Sequence, residues 1–148
     1  MPLPPIRPPD SPASLRACFA LMQTLRPHLA DEADFLARVE RMQEQHYALL
    51  AVWEGERPLA LAGYRYQENL IYGRFLYVDD LVTDADRRGG QHGARLLQAL
   101  EAMALKAGCA RLVLDTGLAN ALAQRFYFRA GLLSRAMRFD KPLGGLAA

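Results

Sequence analysis

The stretch that decides the fold is residues 81–97, which read LVTDADRRGGQHGARLL. The end of an apolar strand leads through a polar, glycine-bearing loop into a helix marked by Leu96 and Leu97. A helix N-terminus carries four unpaired backbone N–H groups and about half a positive charge. Because glycines let the backbone approach an anion and the flanking arginines add charge, the stretch predicts a phosphate site. A glycine-rich turn with solvated arginines is the alternative that the loop alone leaves open. The loop lacks the Gly-Lys-Ser/Thr of a Walker loop and the third glycine of a dinucleotide fingerprint.

Upstream of this stretch, the spacing of apolar residues predicts helices first and strands afterwards. Ser11-Pro12 is a helix-start signal, a capping hydroxyl followed by a proline at the first helical position. The elements expected in chain order are a short strand within 3–7, a helix over 12–25, a second helix capped near Asp31, strands over 47–53 and 59–66 joined by a turn at 54–56, and a strand over 70–83 that follows a turn at 67–69.

Downstream, the chain alternates between helix and strand. Leu96, Leu97, Leu100, Met103 and Ala104 mark a helix that Gly108 closes. We then expect a strand over 111–116, a helix over 119–130, a last strand over 133–139 and a loose tail. This order predicts an α/β or α+β domain around a mixed sheet, a single domain over 1–148 with its core at about 4–142.

Composition excludes several classes of function. The 148 residues carry a net charge of +2 from 18 basic and 16 acidic residues, and no Lys/Arg run exceeds two, so we expect no nucleic-acid partner. The N-terminus does not read as a signal peptide and no apolar stretch reaches the ~18 residues that cross a bilayer, which predicts a cytoplasmic protein without membrane contact. Cys18 and Cys109 stand far apart with no metal-ligand spacing, and we expect two buried free thiols and no metal.

Two segments resemble the signature motifs of one enzyme family. Residues 81–97 resemble motif A of the Gcn5-related N-acetyltransferase (GNAT) family, Gln/Arg-x-x-Gly-x-Gly/Ala, with Arg88 first, Gly93 last and Gln91 where the family has its middle glycine. Residues 120–132 resemble motif B, Asn-x-x-Ala-x-x-Phe-Tyr-x-x-x-Gly-Phe, and depart from it only at Leu132. The spacing of the two motifs is also that of the family. The runs at 76–82 and 125–129 look closest to uncharacterised bacterial members.

The resemblance implies a fold and a co-substrate. The fold is a central mixed, mostly antiparallel β-sheet, flanked by about four helices and splayed between its two central strands. The co-substrate is acetyl-CoA, with its pyrophosphate on motif A and its pantetheine arm paired with the main chain of the splayed strand. Asn120 is expected to hydrogen-bond that arm or to act as an ordinary helix cap. The cofactor-binding residues that the resemblance implies are Leu81, Val82, Thr83, Arg87, Arg88, Gly89, Gly90, Gln91, His92, Gly93, Ala94, Asn120 and Tyr127.

Transfer of an acetyl group to an amine needs proton transfers and a stabilised oxyanion. By the resemblance, Tyr127 lies beside the sulfur and protonates the departing thiolate, since a phenol with a pKa of about 10 keeps its proton at neutral pH. Backbone N–H groups near Leu81 are the candidate donors to the oxyanion. Diamine acetyltransferases carry an acidic pair where this chain has Asp79 and Asp80, which gives Asp79 the role of general base. Adjacent strand residues point to opposite faces, so without a bulge only one acid lines a given cleft. The acids otherwise anchor a cationic substrate or pair with arginines.

Two classes of function follow. The first is an N-acetyltransferase in which a primary amine of a small molecule or a peptide attacks acetyl-CoA directly in a ternary complex. The second is a coenzyme A-binding regulatory or interaction module with the same fold and no turnover, which Gln91 in the phosphate loop favours. A sheet edge near the expected C-terminal strand also suggests a homodimer.

Overall fold

The computed structural model of the protein describes residues 2–145, and of residues 88–90 only the backbone. These residues form two compact units, one up to Leu114 and one from Asp115. The helices of the described chain are α1 (Pro12–Ala17), α2 (Phe19–Leu25), α3 (Glu32–Met42), α4 (His92–Lys106) and α5 (Ala121–Arg129), with 3₁₀ turns at Gln43–Gln45 and Ala85–Gly90. The strands are β1 (Ile6–Arg7), β2 (Tyr47–Glu54), β3 (Arg57–Asn69), β4 (Gly73–Thr83) and β5 (Arg111–Leu114).

The sheet of the first unit has the order β1-β2-β3-β4-β5, and the predicted mixed, mostly antiparallel topology is confirmed. Neighbouring strands from β1 to β4 are antiparallel, whereas β5 runs parallel to β4. The parallel pairing extends from Phe75 opposite Arg111 to Val78 opposite Leu114. β4 continues to Thr83 beyond this point, so the sheet opens between β4 and β5, as predicted.

Two apolar clusters cover the two faces of the sheet. Alternate residues of β2 point to opposite faces: Leu49, Ala51 and Trp53 pack with α1, α2 and α3, while Leu50 and Val52 pack with α4. Trp53 is fully buried and donates its ring N–H to the carbonyl of Arg7, 3.0 Å away.

The predicted helix over 12–25 is interrupted at Cys18. The capping prediction holds, because Ser11 Oγ accepts from the N–H of Ser14, 3.1 Å away, and Pro12 opens α1. At Cys18 the N–H donates to the carbonyl of Leu15, three residues back, so the chain tightens into a turn and restarts as α2. Cys18 is fully buried, and burial raises the pKa of its thiol to about 12. Cys109 is only partly buried, which corrects the expectation of two buried thiols.

Two element predictions are wrong. The turn expected at 67–69 lies at 70–72, because the Asn69 side chain accepts from the N–H groups of Ile71 and Tyr72 after β3 has ended. Residues 133–139, expected as a strand, have no regular structure. A strand is stabilised by pairing with a neighbour, and no described strand pairs with residues 133–139. The expected dimer edge at a C-terminal strand is therefore not present in the described chain, and β5 is the sheet's edge.

In the part of the chain that the structure describes, no helix is both long and apolar enough to span a membrane.

Candidate active site

The first turn of α4 presents backbone donors that the helix itself does not use. α4 begins at His92, and its first helical hydrogen bond runs from the N–H of Arg95 to the carbonyl of Gln91. Gln91 lies in the left-handed region (φ 58°) and makes no side-chain cap. The N–H groups of His92, Gly93 and Ala94 precede this bond and therefore have no partner within α4 itself. Gln91 thus takes a backbone conformation that glycine adopts more readily, and it leaves the helix end open to an anion.

Two buried side-chain atoms in the same turn also lack a partner among the described residues, His92 Nδ1 and Arg95 Nη1. The His92 side chain is 8% exposed, so its polar atom is shielded from water as well. Positions three apart lie on one side of a helix, and their Cα–Cβ bonds tilt toward its N-terminus. Native proteins rarely leave buried donors unpaired. These residues therefore fit the phosphates of a coenzyme A-type ligand.

In the loop before α4, Arg87 differs from Arg95 because its guanidinium is exposed and already paired. Arg87 Nη2 donates to Glu54 Oε1 at 2.7 Å, and both side chains are exposed, so this guanidinium already has an anionic partner. The predictions on Arg88, Gly89 and Gly90 concern contacts outside the described part of the structure. No sequence motif marks Arg95 as a site residue, because the burial of its Nη1 depends on how α4 packs.

The end of β4 provides a strand edge. Leu81, Val82 and Thr83 pair with Ala62, Leu61 and Ala60 of β3 on one side. On the other side β5 has ended at Leu114, and no described strand takes its place. The main chain of 81–83 can therefore receive an extended ligand by adding hydrogen bonds along this edge.

A β-bulge places both carboxylates on one face of the sheet. Gly63 is opposite Asp80 and Tyr64 is opposite Val78, which leaves Asp79 as the extra residue of β4. Asp80 then shares the face of Gly63, and the Asp79 carboxylate contacts Arg65 on that same face. The strict alternation that separates two adjacent acids is broken at this point.

Asp80 is held by two partners. Its Oδ2 accepts from the Tyr47 hydroxyl at 2.6 Å and its Oδ1 accepts from Arg26 Nε at 2.9 Å. Burial, and then the Asp80 charge, raise the pKa of Tyr47 well above its ordinary value, so the hydroxyl stays a donor. Gly63 lies against this pair, because a Cβ there would lie 2.0 Å from the Tyr47 oxygen and 2.3 Å from Asp80 Oδ2.

Asp79 is paired as well. Arg65 Nε and Nη2 donate to its two carboxylate oxygens at 3.1 and 2.8 Å, and Arg65 Nη1 donates to Gln45 Oε1. Burial raises the pKa of Asp79 despite the opposing effect of Arg65, which moves this carboxyl toward the range of a useful base. Of the alternatives weighed for the acids, pairing with arginines is what the structure shows for both.

The residues that surround the acids could hardly be predicted from the sequence. Arg26, Tyr47 and Arg65 lie far from Asp79 along the chain, and no motif marks them. Gly63 was the one usable signal, since a glycine inside an apolar strand often marks a bulge or a close approach.

The second unit contains the two motif B residues. The Asn120 side chain caps α5 by accepting from the N–H of Ala123 at 3.1 Å, which is the ordinary cap considered above, and its amide nitrogen has no acceptor among the described residues. Tyr127 lies on α5 with its ring edge-on to Phe126, the centroids 5.3 Å apart. Burial raises the pKa of Tyr127, so its hydroxyl keeps a proton to donate at neutral pH.

The described residues contain no group of three or more His, Cys, Asp or Glu side chains that could hold a metal ion.

Comparisons with known proteins identify the family of this chain. The sequence model of the "Acetyltransferase (GNAT) family" matches residues 15–132. A curated relative from Bacillus subtilis (strain 168), "Uncharacterized N-acetyltransferase YhdJ", is 33% identical over 127 residues, which cover 84% of this chain and 89% of that protein.

Solved structures share the fold. A putative acetyltransferase from Agrobacterium tumefaciens superposes with a TM-score of 0.80 at 23% identity, over 93% of this chain and 99% of that one. An aminoglycoside N-acetyltransferase, AAC(6')-Iy in complex with CoA, superposes with a TM-score of 0.78 at 17% identity, over 93% of each chain.

Proposed function

Because the chain belongs to the GNAT family of acetyltransferases, we propose that it transfers an acetyl group from acetyl-CoA to a primary amine of a small molecule or a peptide. The family match runs through both compact units, so we propose that residues 1–148 act as one catalytic domain. The observation that carries the proposal is the uncapped N-terminus of α4 with two unpaired buried side-chain atoms, directly after a strand with a free edge.

The open end of α4 would hold the phosphates. The N–H groups of 92–94 and the unpaired atoms of His92 and Arg95 supply the donors, and a bound phosphate would relieve their buried, unpaired state. The edge at 81–83 would hold the extended arm by main-chain hydrogen bonds. The remaining predicted contacts, from Arg87 through Ala94 and at Asn120, are part of the same proposal. When bound, acetyl-CoA supplies an acetyl group activated as a thioester.

The proposed proton transfers use one acid and one phenol. Asp79 would take the proton of the attacking amine, directly or through water, because its carboxyl has a raised pKa. Both acids are hydrogen-bonded, but the Asp80 side chain is 9% exposed and that of Asp79 is 20% exposed, so we assign the base to Asp79 and not to Asp80. Tyr127 would return a proton to the departing sulfur. Main-chain N–H groups near Leu81 would stabilise the oxyanion, as donors that need no rearrangement during the reaction.

The test is thiol release. Purified full-length protein is incubated with acetyl-CoA and amines of several classes, and free coenzyme A is titrated with a thiol reagent. We expect release that depends on both acetyl-CoA and one class of amine, and loss of that release in a Tyr127→Phe variant. A second measurement follows thermal unfolding with coenzyme A, where a ligand at 100 times its Kd stabilises by about 2.7 kcal/mol.

The two measurements separate the two functions. Stabilisation without thiol release for any amine would support the non-enzymatic coenzyme A-binding module. Absence of both effects would overturn the proposed ligand.

A further inference from the structure

The four charges around the bulge are balanced, but they are not equally accessible. Asp79 and Asp80 are matched by Arg65 and Arg26, and the charged groups that act on Asp79 are these same residues. The side chains of Asp80 and Arg65 are 9% and 10% exposed and that of Asp79 is 20% exposed, whereas that of Arg26 is 40% exposed. Of these four side chains, the cationic Arg26 is therefore more accessible to a ligand than the two carboxylates.

Arg26 is held in place and still has a free end. Its Nε donates to Asp80 Oδ1 at 2.9 Å, and its Nη2 donates to the carbonyl of Asp79 at 2.7 Å, at the bulge itself. Its Nη1 has no acceptor among the described residues. Arg65, in contrast, uses Nε, Nη1 and Nη2 on Asp79 and Gln45. A guanidinium fixed by two bonds loses little freedom when its free end binds a carboxylate.

We propose that Arg26 binds a carboxylate of the acyl acceptor, so that the acceptor is an amine of amino-acid type rather than a polyamine. This inference rests on the proposed function, since it takes the bulge at Asp79 as the place of acetyl transfer. The acidic pair would attract a polycation only if its charge reached the ligand, and both carboxylates are already neutralised by hydrogen-bonded arginines. A carboxylate on Arg26 Nη1 would instead place a neighbouring amine near Asp79.

The test measures binding rather than turnover. Full-length protein, with and without coenzyme A, is titrated with free amino acids, with their C-terminal amides and with spermidine, and binding is followed by calorimetry or ligand-observed NMR. Each acid and its amide share the same amine and side chain, so their ratio reports the carboxylate. We expect the acid to bind about 10-fold to 100-fold more tightly, the range of a charge-assisted hydrogen-bonded pair.

Variants of Arg26 test whether this residue binds the carboxylate. Arg26→Gln should bring the acid-to-amide ratio close to 1 and Arg26→Lys should give an intermediate ratio. Arg38→Gln is the matched control, since Arg38 also donates Nε to an aspartate at 2.9 Å, but to Asp34 one turn earlier in α3 and away from the bulge, and it should leave the ratio unchanged. If Arg26→Gln fails to fold because Asp80 loses its partner, the ratio in the wild-type protein decides by itself.

Equal binding of acid and amide, or tighter binding of spermidine, would overturn the inference. Neither result depends on catalysis, so a protein that binds amino acids but releases no thiol would contradict only the proposed function.

Discussion

Replacing Gly63 with alanine is expected to disrupt the polar cluster at the bulge. The new Cβ would lie 2.0 Å from the hydroxyl oxygen of Tyr47, 2.3 Å from Asp80 Oδ2 and 2.7 Å from Tyr47 Cζ. Both side chains are more than nine-tenths buried, so neither can swing out into solvent. The hydroxyl and the carboxylate must separate, or the strands must move apart.

The cost follows from these contacts. Forcing a methyl group into a packed site typically costs about 1–3 kcal/mol, and losing a hydrogen bond to a charged group costs about 1.5–3 kcal/mol. Alanine recovers about 0.5–1 kcal/mol because it has less freedom than glycine in the unfolded chain. We therefore expect Gly63→Ala to lower the free energy of unfolding by about 2–5 kcal/mol.

Urea unfolding followed by circular dichroism measures this change. Gly117→Ala is the control, because a Cβ at Gly117 would meet only the Asn120 Cβ, at 4.0 Å, and its effect should stay within about 0.5 kcal/mol. Repeating Gly63→Ala in a Tyr47→Phe background, which lacks the clashing oxygen, should reduce its cost by at least about 1 kcal/mol. A Gly63→Ala protein within 0.5 kcal/mol of wild type, or strictly additive effects, would refute the reasoning.

Three further predictions concern the proposed site. Tyr127→Phe should lower kcat by about 10²–10⁴-fold and leave the Kd of coenzyme A unchanged, since only a proton donor is lost; equal kcat values in steady-state assays would contradict the role. His92→Ala and Arg95→Met should each weaken coenzyme A binding about 10-fold in calorimetry, whereas Gln98→Ala, on the exposed side of α4, should not; affinities within twofold of wild type would exclude both side chains as ligands. Because the pKa of Asp79 is raised in the folded state, its contribution to stability is full below about pH 4 and is lost as the pH rises through the folded pKa. The unfolding free energy of wild type minus that of Asp79→Asn should therefore fall as the pH rises from 4 to 7, and a difference independent of pH would be evidence against the raised pKa.

The regular elements and the family could be predicted because their signals are local. Ser11-Pro12 sets the start of α1 through contacts within one turn, and the apolar spacing after Gln91 sets α4. The two motifs identified the family for the same reason, since each is a continuous run of residues on one loop or helix. The expected strand at 133–139 failed because a strand depends on a partner that its own residues do not supply.

The environment of the acids could be decided only by the tertiary structure. Two adjacent aspartates on a strand are expected on opposite faces, yet Asp79 and Asp80 lie on one face, each paired with an arginine. The cause is the single extra residue of β4 at the bulge next to Gly63. It places two consecutive side chains of the strand on the same face of the sheet. The energy of an ion pair depends on the distance between the two charges and not on their separation along the sequence. Which arginine neutralises which carboxylate is therefore a property of the assembled sheet and helices.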